Sequence, residues 1–288
     1  EDSLRILRGL RLAAQTGFSI ESATEAALFS LAPTLAQVAP ERVSAELLHL
    51  LCGRYAGQVV RKYTDILGVV MPELLPMRGF QQHNAYHLYD VLEHTLRVLE
   101  QIPAQPALRL AALLHDAGKP DAFTMDENGV GHFYGHPKIS AALAEQRCLA
   151  LRLPAALRET VVSLVRIHDV PIEPDLKSVR RRLAQHGETR LRQLLMIKKA
   201  DCVGRGTHAE YIGYYQQLAA MLEETLRQGA CLSVRSLALN GHDLMALGLH
   251  GKAVGEMQRW LLSQVLDDPA QNTAEKLSAL AQTHMEEL

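Results

Sequence analysis

The stretch RLAALLHDAGKP, from Arg109 to Pro120, begins as an apolar helix and closes on His115, Asp116 and Lys119. Groups of that kind are costly to bury unless they are paired or hold a metal, so the rest of the chain has to supply partners. DVLEHTLRVLE places His94 near the helix face shared by Val91 and Val98, and GHP, IHD and KKAD add His136, His168 and Asp201. Mixed nitrogen and oxygen ligands suit Mn, Fe, Co, Ni, Zn or Mg rather than a thiolate site. His115 and Asp116, adjacent at a helix end, can grip one cation from two directions. His94 and Asp201 would complete a mononuclear set, and His136 with His168 could hold a second ion; one ion or two both fit this order. Such a cation turns its water into a nucleophile near neutral pH and neutralises phosphoryl oxygens. Lys119 can hold a phosphate as a point charge. The candidate catalytic residues are therefore His115, Asp116 and Lys119. A single histidine on an apolar face is usually a hydrogen-bonded core residue, so the weight rests on the ordered set.

The elements that must bring these residues together are helices. Ala, Leu, Arg, Gln and Glu abound, aromatics make up only 5%, and strand signals are nearly absent, so the expected fold class is all-α. The pattern predicts helices at Asp2–Thr16, Glu21–Leu31, Pro40–Cys52 and Ala56–Val69. After them come Asp90–Gln101, Ala107–Ala117, Pro137–Leu151, Pro154–His168, Lys177–His186, Glu188–Val203 and Ala209–Gln228. MPELLPMRGFQQHNAYH has no helical period and reads as a linker, while TMDENGVGHFYGHP carries an Asn-Gly pair suited to a tight hairpin. The expected domains are a helical body at 1–75, a linker at 76–89, a metal-binding helical domain at 90–230 and a helical tail at 231–288.

The chain has 288 residues, 48% hydrophobic and 22% charged, with a formal net charge of −2. This composition excludes a disordered chain and wholesale coating of nucleic acid, though not a local basic face. No apolar run approaches the roughly 20 residues that span a bilayer, and no signal peptide opens the chain, so a cytoplasmic protein is expected. Four scattered cysteines without CxxC spacing read as free thiols. An amphipathic helix already under way at residue 1, without an initiator Met, suggests a piece of a longer protein.

The ordered set H…HD…H…H…D, from about Tyr86 to Arg205, resembles the HD superfamily of metal-dependent phosphohydrolases. That likeness implies an all-α domain using these residues as metal ligands.

A second stretch, EDSLRILRGLRLAAQTGFSIESAT, puts Glu1, Asp2 and Arg5 on neighbouring positions of one helix. Side by side, a carboxylate and a guanidinium form an acceptor–donor edge able to pair with a cytosine or adenine; otherwise they are a surface ion pair of little consequence. Glu1, Asp2, Arg5 and Arg8 match E-D-x-x-R-x-x-R, and the chain is similar here to the bacterial tRNA nucleotidyltransferase and poly(A) polymerase family, the CCA-adding enzymes of the second class. Ser3 stands where that motif usually has Pro. Ala13, Ala14, Gly17, Phe18, Ile20 and Glu21 also match, and ERVSAELLHLL resembles the next motif, with Arg42 and Glu46 bracing the helices. LNGHDLMALGLHGKAVGEMQRWL resembles the body and tail that grip tRNA.

The resemblance implies tRNA as partner, CTP and ATP as nucleotides when the catalytic head is present, and a 2′,3′-cyclic phosphodiesterase, 2′-nucleotidase or phosphatase role for the HD region. The family's head carries a Gly-rich loop and a D-x-D metal pair ahead of E-D-x-x-R. No D-x-D occurs in the 288 residues, so they are not expected to add nucleotides by themselves. The alternatives are a noncatalytic RNA-binding protein with a structural HD domain and a stand-alone HD nucleotide hydrolase. Arg180, Arg181, Arg182, Lys198, Lys199 and Lys252 are the candidate RNA contacts. The run KSVRRRLAQHGETRLRQLLMIKK reads equally as a solvated helix face or a phosphate-tracking patch.

Overall fold

The computed structural model describes residues 2–207 and 212–286. Among these residues the architecture is helical, with one two-residue β-ladder, and the all-α expectation holds. The chain divides into two compact units, one of residues 1–170 and 193–212, the other of residues 171–192 and 213–288.

The first unit opens with α1 (Leu4–Thr16), α2 (Ser22–Leu31), α3 (Pro40–Leu51), α4 (Ala56–Lys62), α5 (Thr64–Leu67) and α6 (Leu74–Met77). Helix α1 buries Leu4, Leu7, Leu10 and Ala14 at i, i+3 and i+4 spacing and stops at Gly17, whose left-handed φ of 76° sends its N–H back to the Ala13 carbonyl. Helix α3 begins on Pro40, where a missing N–H costs nothing. The single helix expected over Ala56–Val69 is broken at Tyr63, where φ is −114° and ψ 30°. Beside the break the Thr64 hydroxyl donates to the Val60 carbonyl at 2.7 Å, a local bond of the kind that distorts helices.

The same unit continues through α7 (Val91–Gln101), α8 (Pro106–Leu114) and α9 (Lys119–Ala122). Then follow β1 (Thr124–Met125), β2 (Gly131–His132), α10 (His136–Ala150) and α11 (Ala155–Ile167). Asp90 caps α7 by accepting from the Glu93 N–H. Helix α8 is central: residues Leu108 to Leu114 are all buried, because α3, α7, α10 and α11 pack around it. The hairpin forms where the Asn-Gly pair predicts it, Thr124 facing His132 and Met125 facing Gly131. Residues of the expected linker pack onto this unit. The Phe80 carbonyl accepts from Val91 N–H at 3.0 Å and the His83 carbonyl from Gly131 N–H at 2.7 Å.

Helix α13 (Glu188–Gly204) begins in the second unit and ends in the first. The second unit also contains α12 (Leu176–His186), α14 (Ile212–Arg227, all but its first residue), α15 (Gly241–Ala246), α16 (Lys252–Asp267) and α17 (Ala274–Glu286). Its core holds Leu239, Leu244, Met257, Leu261, Val265 and Leu277.

In the first unit, Arg147 of α10 reaches Glu73 beside α6, its Nε lying 2.9 and 3.0 Å from the two carboxylate oxygens. Glu73 is only 7% exposed there. Arg147→Ala leaves this carboxylate buried without a partner and should cost about 3 kcal/mol in denaturant unfolding. Replacing both residues with Met should recover most of the loss; no recovery would mean that the pair does more than neutralise itself. A second test concerns Glu21, which caps α2 by accepting from Ala23 and Thr24 N–H, bonds that lower its carboxyl from 4.5 to about 2. A depressed folded pKa stabilises above the unfolded value and loses that contribution as pH falls through the folded one. The stability gap between the protein and Glu21→Gln should therefore be complete above about pH 5 and shrink steadily toward pH 2.

Candidate metal centre

Helix α7 supplies His94, the end of α8 His115 and Asp116, the start of α10 His136, the end of α11 His168, and α13 Asp201. The six groups converge inside the first unit. His94 Nε2 lies 3.2 Å from Asp116 Oδ2 and 3.1 Å from Asp201 Oδ1. His115 Nε2 lies 3.3 Å from Asp116 Oδ2 and 3.8 Å from Asp201 Oδ1. On the other side, Asp116 Oδ1 is 3.2 Å from His136 Nε2 and 3.7 Å from His168 Nε2. Two sets result, His94–His115–Asp201 and Asp116–His136–His168, with Asp116 also bordering the first. This is an arrangement for one or two cations with Asp116 between them.

The local backbone aims these groups. His115, His136 and His168 each donate Nδ1–H to the carbonyl three residues earlier, at 2.7, 2.9 and 2.7 Å. That bond fixes the tautomer and leaves the Nε2 lone pair facing inward, as metal-binding histidines require. Gly118 N–H donates to the buried Ser140 hydroxyl at 2.9 Å, and a Cβ at Gly118 would meet Ser140 N at 2.6 Å. The HDAGK turn can lie against α10 only because residue 118 has no side chain.

The electrostatics calls for a cation. His94 Nδ1 and Nε2 and His115 Nε2 are buried without a hydrogen-bond partner among the described residues, and the buried Asp116 Oδ2 meets the Lys119 ammonium. Buried polar atoms are otherwise almost always satisfied, so the donor set fits a bound divalent ion. Burial opposes charge on His115, but Asp116 and Asp201 outweigh it and lift the imidazole to about 10. Burial would raise the Asp116 carboxyl, yet His115 and Lys119 hold it well below the usual range. Arg205 and the two histidines do the same for Asp201. His168 is pushed down to about 3, chiefly by burial.

Three residues that sequence reasoning passed over complete the surroundings. Lys119, expected as a phosphate holder, is 5% exposed. Its ammonium donates to Gln82 Oε1 at 2.7 Å, pairs with Asp116 Oδ2 at 2.7 Å and lies 3.4 Å from His87 Nε2. Its first task is therefore to position Asp116. His87 bonds Asn84 through Nδ1 and is driven down to about 2 by burial and then by Lys119, so it stays neutral. Arg205 pairs with Asp201. Gln82 and His87 lie in the stretch read as a linker; the spacing of His87 seven residues before His94, two turns if helical, was the available signal. These groups border an open cleft of about 460 Å³, lined among others by Lys119, His136, His168, Asp201 and Arg205.

Two family models match. Residues 17–77 match one described as "Probable RNA and SrmB- binding site of polymerase A", and residues 84–205 match the HD domain. The CC-adding tRNA nucleotidyltransferase of Thermus thermophilus is 35% identical over 281 residues, 91% of this chain and 62% of that protein. The A-adding tRNA nucleotidyltransferase of Deinococcus radiodurans is 34% identical over 280 residues, 90% of this chain and 63% of that protein. Over about nine tenths of its length the chain is similar to tRNA nucleotidyltransferases. It spans just under two thirds of the length of these curated relatives. The crystal structure of the Bacillus stearothermophilus CCA-adding enzyme in complex with CTP has the same fold, with a TM-score of 0.63 over the whole chain and 64% of that protein at 19% identity.

The residues at the start of the chain that match E-D-x-x-R-x-x-R and the basic residues fall elsewhere. Asp2 and Arg5 line a cleft of about 470 Å³ in the first unit; Glu1 lies outside the described residues. Asp2 accepts from Arg42 and from Leu4 N–H, which hold its carboxyl low. Arg8 instead donates to Glu46 at 3.1 Å. Among the basic residues, Arg180 is 7% exposed and donates to the Leu266 and Asp267 carbonyls, capping α16. It cannot reach a phosphate without leaving those carbonyls, because the end of α16 needs its acceptors satisfied. Arg181 forks onto the Asp267 carboxylate, and Arg182 donates to the Pro171 carbonyl and Gln185. Lys252 is 89% exposed and pairs with Glu256 at 3.2 Å. Lys199 is exposed, and Lys198 half-buried, on the part of α13 that belongs to the first unit. No helix among the described residues is long and apolar enough to cross a membrane.

Elemental analysis of the purified chain should find one to two divalent ions per molecule. Asp116→Ala should remove most of that metal with helical circular dichroism retained, and His87→Ala should keep it. Full metal occupancy in Asp116→Ala would disprove the assignment.

Proposed function

We propose that the chain serves tRNA 3′-end processing, holding tRNA and hydrolysing phosphoesters at its HD centre, and that these 288 residues do not add nucleotides by themselves. The convergence of His94, His115, Asp116, His136, His168 and Asp201 at an open cleft, with the inward nitrogens of His94 and His115 buried and not hydrogen-bonded, carries the hydrolase reading. The names of the relatives carry the tRNA reading. A divalent ion held by those residues would supply an activated water and neutralise phosphoryl charge.

The chain's own side chains do the rest. Lys119 holds Asp116 in place through its 2.7 Å contact. An arriving phosphoryl oxygen displaces its longest contact, the 3.4 Å approach to His87, and gains a cation. Arg205 fixes the outer oxygen of Asp201, leaving Oδ1 turned toward His94. Depressed by burial, His87 remains an uncharged wall at neutral pH and adds no further repulsion to the Lys119 ammonium. The substrate class is a 2′,3′-cyclic phosphodiester or a 2′-phosphomonoester of a tRNA 3′ end, as the HD resemblance implies. On α1, Asp2 and Arg5 form the nucleotide-selecting edge, with CTP and ATP as ligands when a catalytic head is present. Exposed Lys199 and Lys252 are the lysines open to RNA phosphates, and the protein works in the cytoplasm.

The purified chain, supplied with Mn, Co, Ni or Mg, should hydrolyse 2′,3′-cyclic AMP or adenosine 2′-monophosphate. His115→Ala and Asp116→Ala should lower the rate at least 100-fold, roughly the loss expected from removing a group that stabilises transition-state charge. A chain that retains its metal yet cleaves none of these esters favours a structural HD domain and sinks the hydrolase reading.

A further inference from the structure

The cleft above the metal ligands is closed on one side by aromatic side chains that the chemistry just described does not use. Tyr134 is 78% exposed and Tyr86 60% exposed, and both line the same cleft of about 460 Å³ as His136, His168 and Asp201. A cleft of this volume is in the range of small-molecule sites. Tyr134 stands two residues before His136, so their Cα atoms are at most about 7 Å apart.

Its ring is held rather than free. It stacks on His132 at 5.2 Å between centroids with an 8° interplanar angle. His132 Nε2 is fixed 3.0 Å from Asp126 Oδ2, and the other oxygen of Asp126 accepts from Asn128 and Val130 N–H at 2.9 Å each. The hairpin thus supports one aromatic face from below, and Gly135, with φ 76°, turns the chain from Tyr134 into α10. A pre-oriented ring that remains largely exposed in the lining of the cleft matches the way proteins stack a nucleobase irrespective of its identity.

We propose that Tyr134, with Tyr86 as a second wall residue, stacks the base of the nucleoside whose phosphoester enters the HD cleft, so that the site selects nucleotides over base-free phosphate esters. This rests on the hydrolase reading for the location of the phosphate, with Lys119 and Arg205 lining the cleft beside the ligands.

The test is equilibrium binding to the full 288-residue chain loaded with Mn. The ligands are adenosine 2′-phosphorothioate, the corresponding base-free ribose phosphorothioate, and a pentaribonucleotide ending in the same 2′ group. Tyr134→Ala should weaken the nucleotide about tenfold and the base-free ester less than twofold, with Tyr134→Phe close to the unaltered chain. Tighter binding of the pentamer assigns the platform to an RNA end, and equal binding to a free nucleotide. No nucleotide binding by the unaltered chain, or equal losses for both small ligands, overturns the proposal. A Tyr134-dependent preference in a chain that hydrolyses nothing would retain the platform and remove the hydrolase reading, so the two failures are distinguishable.

Discussion

The first unit is organised around charges and lone pairs that its own side chains do not satisfy. His94 is fully buried, with neither ring nitrogen hydrogen-bonded, and Asp116 is 1% exposed, its Oδ2 met by the Lys119 ammonium. Two carboxylates and four imidazoles in so small a volume would repel or desolvate one another unless positive charge were placed among them. Lys119 and Arg205 supply part of it, each pairing with one carboxylate, Asp116 and Asp201 respectively. A divalent cation held among these residues would supply the rest. The two carboxylates favour positive charge at His115 against the effect of burial.

Rigid helices explain how so costly a cluster is held. Helix α8 is buried along its length, and it delivers His115 and Asp116 from a core that cannot easily shift. His136 and His168, like His115, sit at helix ends, where backbone carbonyls are free to orient an imidazole, while His94 and Asp201 project from within α7 and α13. Each of the three oriented histidines uses a carbonyl three residues back. The Glu73–Arg147 pair joins the early helices to α10. The RNA-binding family match at residues 17–77 and the HD match at 84–205 thus lie largely in one compact unit.

The second unit uses several of its basic side chains internally. Arg180 and Arg181 hold the end of α16, so a run of arginines that reads as phosphate-tracking is in part a structural clamp. Charge counting along a sequence cannot separate these roles, because a guanidinium that caps a helix and one that meets RNA have the same local composition.

Much was legible in advance. The apolar periodicity of α1, α3, α7 and α8, the Asn-Gly hairpin and the ligand order H…HD…H…H…D follow from local spacing, since helix and turn preferences are decided within a few residues. Spacing could not reveal that Gln82 meets Lys119, nor that Lys119 sits beneath the surface, whereas Arg205 stands only four residues from Asp201. The Gln82 contact joins residues as far apart as 82 and 119, in a segment without period. The sequence alone determined which chemical groups are available and which helices carry them. The tertiary structure decided which groups meet, because proximity among buried charges depends on how separate helices pack, and no single helix encodes that.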